Sequence, residues 1–109
     1  MDGLSSINEL NALTAELANS IDELRRLGVE YAGADRDYRI EKAKNIRRLR
    51  ADGTPSTLTL DLATGDAAAW KFTADSAEVM WKAEQEHINS LKLRIKILEN
   101  QIAREWGRP

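Results

Sequence analysis

From residue 67 to residue 102 the chain sets Ala67, Trp70, Ala74, Ala77, Trp81, Glu84, Ile88, Leu91, Ile95, Leu98 and Ile102 at alternating steps of three and four, with Glu84 the polar exception. That alternation holds for five heptads and describes one stripe along an α-helix. Isoleucine at the first core position (Ile88, Ile95, Ile102) and leucine at the second (Leu91, Leu98) is the choice of two-stranded parallel coiled coils, and antiparallel bundles use it too. These five residues are the expected oligomer interface. The same helix carries Phe72, Val79, Ala83, Leu93 and Ile97 on its opposite side, with Met80 nearby. A helix apolar on two faces needs cover on both.

The first cover lies in the same chain. Ile7, Leu10, Leu17, Ile21, Leu24, Tyr31 and Tyr38 keep heptad spacing through a long N-terminal segment. Helix is expected over 5–50, capped by Ser5 or Ser6. Gly28 and Gly33 each cost about 1 kcal/mol of helix propensity, which predicts a kink at 28–33. The run ADGTP at 51–55 ends this helix. Leu58, Leu60 and Leu62 alternate as in a strand, but a lone strand has nothing to pair with, so 51–65 reads as a linker with a short helix, capped by Ser56 or Thr57 and closed by Gly65. A second long helix follows over 66–106, ended by Gly107 and Pro109. The expected fold is all-α: residues 1–109 form a single domain, an elongated antiparallel helical hairpin, coiled-coil-like, with a short linking helix. Two helices cannot enclose their own core, so a homo-oligomeric bundle, a dimer or larger, is expected.

Composition excludes several classes of chemistry. The chain has no cysteine and one histidine, which leaves no disulfide framework and no zinc–thiolate centre. No apolar run approaches the roughly 20 residues of a membrane span, and the first ten residues lack the pattern of a secretory signal. A soluble, cytoplasmic protein is expected. Glu84 and His87 have the Glu-x-x-His spacing of di-iron bundles, but there is no second such pair, and the same spacing recurs on ordinary charged helices, so no metal or other cofactor is expected. The carboxylate pairs Asp35/Asp37 and Asp61/Asp66 suit caps and solvated faces, and neither a phosphate loop nor a nucleophile elbow is present. No enzymatic activity is expected.

The net charge of −2 is unevenly spread. Residues 1–34 hold six acids and two bases, whereas residues 35–50 hold seven bases and three acids. On a helix, Arg36, Arg39, Lys44, Arg47 and Arg50 gather within about 140° of arc. Such a stripe suits phosphate groups or an acidic partner; as a plain solvated face it is the commoner outcome for a charge run. Trp106 falls one residue outside the heptad register, where an aromatic serves as a contact residue.

The stretches YAGADRDYRIEKAKNIRRLRADGTPSTLTLDLATGD and INSLKLRIKILENQIAREWG resemble a group of small helical proteins of tailed phages and prophages of Gram-positive bacteria. The resemblance covers about residues 25–107 and rests on the Tyr31/Tyr38 spacing, Asp61-Leu62-Ala63 before Gly65, and the closing Glu105-Trp106-Gly107. It implies an accessory protein made early in infection and acting by binding, and it carries over no functional residues. Two partner classes follow. One is nucleic acid or its replication and recombination proteins, met through Arg36–Arg50. The other is a host immune complex, such as a CRISPR effector, or a nucleotide signal, met as an anti-defence factor in the host cytoplasm.

Overall fold

The computed structural model describes residues 3–107. The chain is all-α, a helical hairpin of three helices: α1 (Gly3–Ala51), α2 (Ser56–Asp66) and α3 (Ala68–Trp106). α1 begins two residues before the expected caps, so Ser5 and Ser6 lie inside its first turn, and Ser6 is fully buried. It runs without interruption through Gly28 and Gly33. Two glycines in a helix of 49 residues lower its propensity but break no hydrogen bond.

The end of α1 follows from local chemistry. Gly53 adopts a left-handed φ of 79°. The Thr54 N–H donates to the Leu49 carbonyl (3.0 Å) and the Gly53 N–H to that of Arg50 (3.1 Å). This is the paired hydrogen bonding of a Schellman motif, with glycine at the left-handed position that an L side chain rarely adopts. Pro55 then stands as the N-cap of α2, with no side-chain cap from Ser56 or Thr57. Gly65 stays inside α2, and the single residue Ala67 separates α2 from α3, its N–H donating to the Ala63 and Gly65 carbonyls.

Packing divides the chain into two compact units. In the first, residues 3–26 of α1 run antiparallel to 82–106 of α3: Trp106 lies over Gly3, and Glu16 meets His87. Leu13, Leu91 and Leu98 are its buried core, with Leu10, Leu17, Ile95 and Ile102 packed around them. Ser6 and Ser20 are buried, and the Ser6 hydroxyl has no hydrogen-bond partner among the described residues.

In the second unit, residues 27–51 of α1 run antiparallel to 68–81 of α3, and α2 closes the bend. Its fully buried apolar side chains are small apart from Leu27: Ala63, Ala67 and Ala74, together with the polar Thr59. Tyr31 stacks on Trp81 with ring centroids 5.6 Å apart. The Tyr38 ring receives Lys71 at 5.2 Å and Lys42 at 5.9 Å, within cation–π range. Arg48 reaches Asp66 at 3.0 Å.

Candidate functional site

The five bases singled out from the sequence all lie on α1 in the second unit, and all are exposed. They fall on its outward side with Ile40 and Ala43, and the other exposed residue of the stretch, Arg48, pairs with Asp66. The carboxylates of the same stretch, Asp35, Asp37 and Glu41, sit half-buried along the edges. Each holds one base: Asp37 takes Arg36 at 3.2 Å, Asp35 takes Arg39 at 3.0 Å, and Glu41 takes Lys44 at 3.9 Å. Surface pairs of this kind contribute about 0–1 kcal/mol, so a denser anion displaces them at little cost. Arg47 and Arg50 have no carboxylate in ion-pair range among the described residues.

Arg50 also borders a small groove of ≈ 180 Å³ that Ile46 lines from α1, and Ser56, Thr59 and Leu60 from α2. The Thr59 hydroxyl is spent on the Pro55 carbonyl at 3.1 Å, which leaves Ser56 as the nearest free hydroxyl of that groove. A phosphate on Arg50 would sit beside hydroxyl and leucine rather than beside carboxylate.

The expected oligomer seam is used inside the chain. Ile88, Leu91 and Leu98 are buried in the single copy, and Ile95 and Ile102 are half-buried against the cluster that Leu10, Leu13 and Leu17 supply from α1. The opposite side of α3 is uncovered, as its second apolar stripe implies: Phe72, Val79 and Met80 are exposed in the second unit, and Leu93 and Ile97 in the first. Trp106 is mostly exposed and rests on Gly3.

One surface carried no clear signal in the sequence. Leu58, Leu60 and Leu62 of α2 all face solvent, while Thr59 and Ala63 turn inward. The spacing of 59, 63 and 67 by fours is a stripe of small residues, which lets α2 approach its neighbours closely. Thr and Ala give no hydrophobic signal of their own, so the leucines drew attention instead.

Of the Glu84/His87 pair, the histidine has a carboxylate partner on α1. His87 Nε2 lies 3.4 Å from Glu16 Oε1, and no cluster of three or more ligand-type side chains occurs among the described residues. No helix of the described residues is long and apolar enough to cross a membrane. Among the described residues, Tyr31, Lys71 and Glu23 are displaced from their ordinary values. The hydrogen bond to the Glu78 carboxylate pushes Tyr31 up, helped by Asp35 and Asp75. The hydrogen bond to Asp75 raises Lys71, and the Arg26 guanidinium lowers Glu23. All three belong to surface pairing, and none sits among the five bases.

No family model matches the chain, and neither a curated protein nor a solved structure does.

Proposed function

We propose that this chain is a non-catalytic binding protein that docks a phosphate-bearing partner, nucleic acid foremost, on the outward side of α1 between Arg36 and Arg50. The observation that carries the reading is the distribution of charge on that side: exposed bases, Ile40 and Ala43 face outward, and the carboxylates keep to the edges. A duplex or single strand releases counterions when such a face neutralises its phosphates, which supplies affinity without base contacts. The resemblance to small phage proteins fits an accessory role in phage DNA replication or recombination.

A second reading, an anti-defence protein that occupies a host immune complex or holds a nucleotide signal, is favoured by a different observation. The exposed leucines of α2 stand close along the chain to Arg47 and Arg50, a mixed surface suited to a protein partner. Fluorescence anisotropy with labelled DNA separates the two. Arg47→Glu combined with Arg50→Glu is expected to weaken binding at least tenfold while leaving the unfolding midpoint in place. Unchanged affinity would remove the nucleic-acid reading, and a single host protein retained after nuclease treatment would replace it with the second.

A further inference from the structure

The basic side of α1 runs into a groove of the same unit. Between α1 and α3 lies a space of ≈ 340 Å³ bordered by Val29 and Trp70, which Gly33 and Ala34 line with little side chain. Asp37 lines it too, and the same carboxylate holds Arg36 at 3.2 Å. At 100° per residue, Val29 shares its direction on α1 with Arg47, and Gly33 lies within about 20° of Lys44. Arg36 and Arg39 follow Gly33 within two turns, and Arg36 to Arg47 spans about 16 Å of helix. A row of bases therefore begins at the mouth of an apolar slot.

The lining selects the occupant. Trp70 is 44% exposed and Val29 74%, so a flat apolar group has an indole to lie against. The volume is at the low end of the roughly 300–1,000 Å³ of small-ligand sites, which suits one ring system rather than the face of a helix. The polar side chains beside Trp70 accept hydrogen bonds. Glu30 and Asp37 are carboxylates, each with more acceptor positions than one partner fills, and Thr73 spends its proton on the Ala69 carbonyl at 3.2 Å. An acidic peptide would bring its own carboxylates against Glu30 and Asp37. A nucleobase brings a π-face for the indole and, in cytosine, an amino group for a carboxylate. Its phosphates meet the bases outside the groove. In a duplex the base faces are already stacked, and freeing one costs energy; a single strand has them free.

We infer that the basic side takes single-stranded nucleic acid, with one base stacked on Trp70 in this groove and the backbone carried on over Arg36, Arg39, Lys44 and Arg47. The inference rests on the phosphate-docking reading above and narrows it. Bases on α1 give affinity for any strand, whereas the groove favours an unpaired one.

The test is fluorescence anisotropy with a labelled run of about 12 cytosines, within the site sizes of single-strand grooves, beside a thymine run and a duplex of the same length. The cytosine run is expected to bind about tenfold tighter than the duplex, the worth of one stacked base, and tighter than the thymine run. Trp70→Ala should remove that advantage and leave duplex binding unchanged. Gly33→Leu should do the same without altering Trp70, since an added Cβ there meets no atom within 4 Å and the side chain fills the groove; it reads the same site if Trp70→Ala loses helical circular dichroism. The cytosine run should also quench part of the indole emission, and Trp70→Phe should lose that quench while keeping most of the affinity, because phenylalanine stacks as well. Suppose the run and the duplex bind alike and neither groove variant matters, while Arg47→Glu with Arg50→Glu still weakens both. That result would overturn the stacked base and leave phosphate docking standing. No binding of either at low salt would overturn both readings. A thymine run that binds as tightly as cytosine would overturn the part assigned to Glu30 and Asp37, and free cytidine monophosphate binding as tightly as the run would overturn the strand as occupant.

Discussion

Gly53 and Gly65 both stand in open space, with no atom within 4 Å of an added Cβ, yet alanine should act on them in opposite directions. Gly65 has ordinary helical geometry inside α2, where alanine gains about 0.8–1 kcal/mol of propensity. Gly53 holds a left-handed φ of 79°, where an L side chain costs roughly 1–2 kcal/mol. Urea unfolding should therefore show Gly65→Ala stabilised and Gly53→Ala destabilised; two shifts of the same sign would contradict the assignment of the turn. Tyr31 and Lys71 make a second prediction at this scale. Both have folded pKa values above their unfolded ones, so their contribution to stability is complete below the unfolded value and is lost as pH rises through the folded one. Stability of the second unit should fall above about pH 10, the ordinary range of both groups. Glu78→Gln should bring the spectrophotometric titration of Tyr31 back down toward its ordinary value. Glu23 has the opposite sign: lowered by Arg26, it supports the fold above its unfolded pKa and loses that support as pH falls through the folded one.

At the scale of the helix, α3 has one face that is core and one that is surface, and substitutions should divide accordingly. Leu91 is wholly buried, so Leu91→Ala should cost about 2–5 kcal/mol. Ile97 is 56% exposed, and Ile97→Ala should stay within about 0.5 kcal/mol. Chemical denaturation of the two proteins side by side measures the contrast, and equal losses would mean that the faces have been exchanged. The core face was legible from spacing alone, because large apolar residues recur at three and four and no competing period exists. Which element covers it was less legible. Ile88 to Ile102 look the same in sequence whether a second copy or α1 meets them, and α1 meets them through Leu10, Leu13 and Leu17. α1 stays helical through 28–33, because a glycine lowers helix propensity without removing a hydrogen bond, and the Tyr31–Trp81 stack ties this stretch of α1 to α3. α2 was readable as a helix but not in orientation: Thr59 and Ala63 face inward because they are small, and smallness leaves no hydrophobic pattern.

For the molecule as a whole, pattern and charge speak to different questions. Apolar period establishes an all-α hairpin, while the allocation of charge along it is the basis of the proposed docking side for a charged partner. The basic stripe was legible as a cluster, since its five members share one arc of α1. Its state of pairing was not legible, because Asp35, Asp37 and Glu41 hold three of the five from the edges while Arg47 and Arg50 stand free of carboxylates among the described residues. The measurement that tests this account most directly is the affinity of the wild-type protein for a short DNA duplex as a function of salt. The account predicts a straight decline of log affinity against log salt with a slope of about −2 or steeper, since each neutralised phosphate contributes about 0.9 and at least Arg47 and Arg50 are available. No measurable binding at low salt, or binding indifferent to salt, would contradict it.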